Sequence, residues 1–308
     1  MNLRDLEFVT AIDRYRNFGR AAEACHVSQP ALSAQVKKLE ERLGVELFAR
    51  TNNGILTTEA GARIVATAKD MLRSAQRITD TAAEYRDPLA APLRIGMIPT
   101  LAPFVVPYVS QSIGQIADKL VTVYREHPTD VLLTELDARM IDVALLSGPI
   151  ELPGYKFTPV LREPLVLVVS KDHRLANAGR IKACDIPVEE LLLLTDEHCL
   201  RAETMALCRN ENIGIDLPDD LHATNFLTIS HYMAGAIGCS LVPKLACPIL
   251  QAANPEIRFI DIDDPEYGRD IGFLSRRGCP REAVLLALCD QIRAHPPANA
   301  ISLNHITT

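Results

Sequence analysis

The stretch Ser28-Gln29-Pro30-Ala31-Leu32-Ser33-Ala34-Gln35-Val36-Lys37-Lys38-Leu39-Glu40-Glu41-Arg42-Leu43-Gly44 decides the architecture of the first part of the chain. Ser28 is a strong helix N-cap, and Pro30 falls in the first turn, where a missing N–H does no harm. Leu32, Val36, Leu39 and Leu43 recur at spacings of four, three and four, which makes one apolar helix face, and Gly44 stops the helix. Upstream, Asn17-Phe18-Gly19-Arg20-Ala21-Ala22-Glu23-Ala24-Cys25-His26-Val27 reads as a shorter helix and a tight turn, with Ala21 and Ala22 small enough for a close crossing. Downstream, Gly54 separates Arg50-Thr51-Asn52-Asn53 from Ile55-Leu56-Thr57, the pattern of a short hairpin wing. A helix, a turn and a capped second helix predict a helix-turn-helix, so double-stranded DNA is the first partner to expect. Gln29, Pro30, Ser33, Lys37, Lys38 and Arg50 are its candidate DNA contacts, with side chains suited to phosphates and base edges.

Charge alone would not have pointed there. Residues 1–88 hold 13 Lys and Arg against 12 Asp and Glu, whereas residues 89–308 hold 19 against 27, giving the chain its net charge of −7. A nearly neutral DNA-binding segment predicts weak binding by one copy and a need for dimerisation. From Thr58 to Arg86 a helix of ~43 Å is expected, capped by Thr58 and ended by Asp87-Pro88. Ile64, Ala68, Met71, Ala75, Ile78, Ala82 and Tyr85 form a heptad seam along it, which predicts a homodimer through this helix.

Past Pro92 the texture changes to alternating strands and helices. Leu93–Ile98, Leu120–Glu126, Val143–Ser147, Leu165–Ser170, Leu191–Thr195, Ser240–Pro243, Ile257–Ile262 and Ile271–Ser275 read as short buried strands of an α/β unit. With 308 residues and 48% hydrophobic content, two or three domains with real cores are expected. No run of 18 apolar residues suggests a membrane span, and the N-terminus lacks the apolar stretch of an export signal, so a cytoplasmic location is expected. Eight cysteines without Cys-x-x-Cys spacing argue against zinc and against a structural disulfide framework, and no metal or cofactor is expected.

The order Arg20-Ala21-Ala22, Ser28-Gln29-Pro30-Ala31-Leu32-Ser33, Leu39-Glu40 and Leu43-Gly44 resembles the winged helix-turn-helix of LysR-type transcriptional regulators. The resemblance implies a winged domain at 1–58, a linker and dimerisation helix at 59–88, and an effector domain at 92–303. That effector domain would hold two Rossmann-like subdomains resembling periplasmic binding proteins, the first at about 92–163 plus 268–300 and the second at about 164–267. It also implies a homotetramer on promoter DNA, with RNA polymerase a further candidate partner.

A second segment, Thr195-Asp196-Glu197-His198-Cys199-Leu200-Arg201-Ala202-Glu203-Thr204-Met205-Ala206-Leu207-Cys208, resembles the redox centre of the hydrogen-peroxide-sensing (OxyR) branch of that family. By resemblance Cys199 is the peroxidatic cysteine and Cys208 the resolving one, with His198, Thr100, Thr129 and Arg269 around the peroxide. The physics is independently suggestive. A cysteine at a helix N-terminus has its thiolate stabilised by the dipole, and the thiolate is the form that attacks peroxide. Arg201 would add positive charge. Thr100 and Thr129 each precede a helix, so they read either as polar contacts in a cleft or as ordinary N-caps. Cys199 and Cys208 are nine apart, ~13.5 Å along a helix and on opposite sides of it, so a disulfide, which needs Cα atoms within about 7 Å, requires the segment to unwind. Cys25, Cys239 and Cys289 read as packing residues, whereas Cys184, Cys247 and Cys279 fit partly exposed positions.

The main expectation is a peroxide-responsive DNA-binding regulator whose oligomer geometry on DNA switches on oxidation. Two rivals are a regulator that binds a small metabolite in the interdomain cleft with passive cysteines, and a thiol peroxidase, which leaves the first 58 residues unexplained.

Overall fold

The computed structural model describes the chain apart from residues 52–53, 90, 196–198, 211–221, 265–266 and 304–308. At Arg50, Thr51, Glu84, Cys199, residues 206–210 and His222 it describes the backbone alone. The chain forms two units, Met1–Arg86 and Asp87–Thr308.

The first unit contains α1 (Leu3–Tyr15), α2 (Phe18–Ala24), α3 (Gln29–Leu43), the hairpin β1 (Phe48–Thr51) and β2 (Gly54–Thr57), and α4 (Glu59–Arg86). Ser28 caps α3 by accepting from the Ala31 amide, and Gly44 ends it in the left-handed region at φ 71°. Leu32, Val36 and Leu39 are buried as their spacing requires, against Leu6, Val9 and Ile12 of α1 and Ala21 and Ala22 of α2. Leu43, assigned to the same face, stays 39% exposed because the helix ends there.

The wing is tied down by polar contacts. One Glu40 carboxylate oxygen accepts from the amides of Leu47 and Phe48 at 2.7 and 3.2 Å. Asp13 accepts from the Thr57 hydroxyl and from Lys69 Nζ, each at 2.9 Å, joining α1, the wing and α4. Thr58 caps α4 as expected, accepting from the Gly61 amide at 2.9 Å. Gly61 is required there, because a Cβ would sit 2.1 Å from the Leu47 carbonyl oxygen.

The second unit is mixed α/β. Its strands and helices run β3 (Leu93–Met97), α5 (Ala102–Ile116), β4 (Thr122–Glu126), α6 (Thr129–Asp137), β5 (Val143–Gly148) and β6 (Tyr155–Ser170). They continue with β7 (Arg180–Ile181), β8 (Leu193–Leu194), α7 (Cys199–Asn210), β9 (His222–Ala223), α8 (Phe226–Ala234) and β10 (Ser240–Pro243). Last come α9 (Cys247–Ala253), β11 (Ile257–Ile262), β12 (Gly268–Arg276), α10 (Glu282–Ala294) and β13 (Ile301–Ser302). Strands β3, β4 and β5 are parallel, and β12 closes them antiparallel.

The long strand β6 joins the two subdomains. Its first part, Tyr155–Pro164, pairs with β12, and from Leu165 to Ser170 it pairs with β10 and β11. Leu165–Ser170 is the strand expected here; the fold extends it back to Tyr155 through Pro159 and Pro164, a residue type disfavoured in a ladder. The fold accommodates Pro159 with a bulge, where Ile271 faces Leu161 and Gly272 faces Pro159, leaving Val160 outside the register. The other expected strands form, with β4 beginning at Thr122 and Leu191–Thr195 shortened to the two residues of β8.

Among the described residues no helix is long and apolar enough to cross a membrane. None of their His, Cys, Asp and Glu side chains group in threes to hold a metal ion.

Candidate functional site

Arg269 and Glu163 occupy directly opposite positions in the β6–β12 ladder, so their side chains share one face of the sheet. Both are buried, at 2% and 0% side-chain exposure, and Arg269 Nε donates to Glu163 Oε2 at 2.8 Å. The other Glu163 oxygen accepts from the Leu245 amide at 3.3 Å, in the 3-10 turn Lys244–Ala246 that follows β10. Burial pushes the Glu163 carboxyl above its ordinary range, and the Arg269 charge pulls it back only in part.

The rest of the guanidinium holds Thr100. Arg269 Nη1 donates to the Thr100 hydroxyl and Nη2 to the Thr100 carbonyl, both at 2.9 Å. With its oxygen accepting from Arg269, the hydroxyl keeps its own proton to donate elsewhere. Thr100 also lines a cavity of about 320 Å³ with Pro103, Phe104, Glu126, Leu194, Asn225 and Phe226. The cavity is therefore lined from α5 and the end of β4 on one side and from β8 and α8 on another, and the buried ion pair holds Thr100 in its wall.

Neither threonine is a helix cap. The cap positions of α5 and α6 are Leu101 and Pro128, and neither makes a side-chain capping bond. Thr129 is the first residue of α6, half-buried, and is not among the residues around this cavity. The structure thus joins Thr100 and Arg269 directly through two hydrogen bonds.

Among the described residues helix α7 spans Cys199–Asn210 and so includes Cys208. Both cysteines therefore lie on one unbroken helix, in the arrangement that keeps them ~13.5 Å apart along its axis. Their side chains, and His198 altogether, lie outside the described residues. Arg201 donates to the Leu194 carbonyl at 3.1 Å, which ties the first turn of α7 back to the strand that lines the cavity. The contact leaves the guanidinium charged in the first turn of α7. Leu200 and Thr204, four apart, are both 2% exposed and fix the inner face of α7.

The remaining cysteines follow the expected division except that Cys25 is only partly buried against its core and Cys184 is exposed. Cys239 and Cys289 are buried, Cys25, Cys247 and Cys279 are half-buried, and Cys184 is exposed. Burial pushes the Cys247 and Cys289 thiols up to about 12, which makes both poor nucleophiles at neutral pH.

In the first unit, Gln29, Pro30, Lys37 and Lys38 are exposed on α3 and Ser33 is half-buried. Lys37 lies 3.9 Å from Glu41. Arg50 belongs to β1, with its side chain outside the described set. The sequence reading missed Glu163, which pairs with Arg269, and Glu203, which acts on it as a like charge. Glu163 lay hidden between Arg162 and Pro164 in a stretch that did not read as strand.

Comparison with known proteins agrees with this geometry. Residues 3–62 match the bacterial regulatory helix-turn-helix protein, lysR family, and residues 86–297 match the LysR substrate binding domain. The chain is 35% identical over 295 residues to the hydrogen peroxide-inducible genes activator of Dickeya chrysanthemi, covering 96% of each. It is 35% identical over 294 residues to the DNA-binding transcriptional dual regulator OxyR of Escherichia coli K12, covering 96% of this chain and 95% of that protein. Among solved structures it is similar to a cysteine-to-serine variant of Corynebacterium glutamicum OxyR with hydrogen peroxide bound. The identity there is 29% and the TM-score 0.64, over 95% of this chain and 93% of that one. Full-length CbnR in complex with its target DNA shares the fold, at 21% identity and a TM-score of 0.71, over 96% and 99%.

Proposed function

This chain belongs to the LysR family of bacterial transcription regulators, and we propose that it senses hydrogen peroxide through Cys199 and Cys208. The observation that carries the reading is α7, one helix over Cys199–Asn210 that contains both cysteines of the His198-Cys199-Leu200-Arg201…Cys208 motif. It is supported by the 35% identity, along nearly the whole chain, to proteins named for peroxide-inducible activation.

The chemistry balances without a cofactor. The Cys199 thiolate attacks one peroxide oxygen, the O–O bond breaks, and the other oxygen leaves as water once protonated. Cys199 is then a sulfenic acid. The Cys208 thiol attacks that sulfur, releases a second water and forms the disulfide. The N-terminus of α7 favours the thiolate. Thr100, oriented by Arg269, can donate a hydrogen bond to the departing peroxide oxygen, which takes its proton from water. In this reading His198 and Thr129 are further polar contacts to peroxide. One peroxide is consumed per switch, so the protein acts as a regulator and not as an enzyme.

The exposed residues Gln29, Pro30, Lys37 and Lys38, with Ser33 and Arg50, read promoter DNA in the cytoplasm. Two copies pair through α4, and effector-unit contacts complete a tetramer. The effector unit divides where β6 changes partners, giving subdomains at about 92–163 plus 268–300 and about 164–267.

The test is mass spectrometry of free thiols and of the Cys199–Cys208 peptide after a near-stoichiometric peroxide pulse, in the wild type and in Cys199→Ser. A rapid disulfide between those two residues, lost in the variant, is the expected result. Thiols that stay reduced would defeat the reading. The cavity of about 320 Å³ beside Thr100 supports a second one, a small metabolite as effector, in which Cys199→Ser would keep its transcriptional response.

A further inference from the structure

Glu203 lies inside the segment that a Cys199–Cys208 disulfide would close, four residues after the first cysteine and five before the second. It follows Leu200 by three positions and precedes Thr204, both 2% exposed, so it belongs to the inner side of α7. Its Oε2 is buried and has no hydrogen-bond partner among the described residues. The charge nearest in kind is unhelpful. Glu203 acts on the buried Glu163 carboxyl as a like charge, while Arg269 is committed to Glu163 and to Thr100. A carboxylate oxygen withdrawn from water without a partner is costly, and a second carboxylate in the same low-dielectric region adds to the cost.

Such an arrangement weakens the helical form without blocking it. A disulfide between positions nine apart cannot form on an intact helix, so α7 must unwind between them, and Glu203 must leave its place as it does. We propose that Glu203 poises the switch: the half-buried side chain, with Oε2 buried and without a hydrogen-bond partner among the described residues, acts as a like charge on Glu163 and thereby favours the disulfide over the dithiol form. The proposal rests on the peroxide reading above. It assigns to Glu203 no contact with peroxide. The residue acts by making the resolving step easier and the disulfide harder to reduce.

The test uses the full-length protein and Glu203→Gln, a change that keeps length and helix propensity while removing the charge. Each is equilibrated with reduced and oxidised glutathione. Two glutathione thiols give up two electrons and two protons, the protein disulfide takes them to become two thiols, and glutathione disulfide forms. Glu203→Gln is expected to shift this equilibrium about tenfold toward the dithiol. In stopped-flow mixing with peroxide, sulfenic acid formation at Cys199 should not be slowed, while its conversion to the disulfide should be. Glu203→Met, equally long and uncharged, serves if the Gln variant folds poorly. An equilibrium within twofold of wild type, or a shift toward the disulfide, overturns the proposal and leaves the peroxide reading standing. A wild type that forms no Cys199–Cys208 disulfide overturns both.

Discussion

Glu163 and Arg269 face each other across the β6–β12 ladder with side chains 0% and 2% exposed, so removing one leaves the other's charge buried. Breaking a buried pair from one side costs about 3–5 kcal/mol, whereas replacing both partners by apolar residues is often close to neutral. Arg269→Met should therefore lower the stability of the effector unit by that amount in urea unfolding, and adding Glu163→Leu should restore most of it. A smaller pair of effects belongs to Asp13. Burial pushes its carboxyl up, but donation from Lys69 and Thr57 outweighs this and holds it below its ordinary value of 3.8. A depressed carboxylate adds stability above its unfolded pKa, and that stability is lost as pH falls from about 3.8 through the lower folded value. Asp13→Asn should cost the first unit about 1–3 kcal/mol at pH 7, and the difference from wild type should shrink in acid unfolding titrations below that pH. The cysteine motif was legible at this scale because its residues are contiguous. Glu163 was not, because its meaning comes from a partner 106 positions away, and no local pattern reports a cross-strand pair. Glu203 was equally silent: in the sequence it is one more charge on an amphipathic helix.

Helix α4 shows what periodicity can and cannot assign. The seven seam positions all fall on the helix, but Ile64 and Ala68 pack into the core of their own unit. Met71, Ile78 and Tyr85 remain 43%, 74% and 72% exposed. The sequence gives the apolar stripe, and only the packing of α1 shows where its use within the chain ends. Large apolar residues left exposed at heptad spacing fit a second copy of the same helix. Ile78→Asp should weaken the dimer at least tenfold in sedimentation equilibrium while leaving the unfolding of the first unit unchanged, since Ile78 touches none of its core. Strand β6 fails in the opposite way. Its sequence contains two prolines that argue against a strand; the bulge at Val160 makes Pro159 tolerable and Pro164 lies where β6 changes partners, both of them properties of the paired sheet. The strand most important for holding Glu163 beside Arg269 was thus half hidden.

For the whole molecule, the near balance of 13 basic and 12 acidic residues in the first 88 sets the terms of DNA binding. Phosphate contacts supply most of the sequence-independent affinity, and a segment with so little net positive charge gains little from one copy. Affinity must then come from several copies bound together, and whatever changes their arrangement changes which half-sites are reached. In the proposed mechanism the unwinding of α7 provides such a change, because a disulfide between residues nine apart requires the helix to open. Peroxide should consequently alter the DNase I footprint on a target promoter by shifting protection about one helical turn, or ~10 base pairs, at one flank. Cys208→Ser should keep the footprint of the untreated protein after the same pulse, since Cys199 can reach the sulfenic acid but has no thiol to close onto. Ile78→Asp should lose protection at both flanks before and after peroxide, because its defect is in pairing and not in sensing. A footprint that moves equally in Cys208→Ser would mean that oxidation of Cys199 alone drives the change, and the unwinding of α7 would then not be the transmitted event.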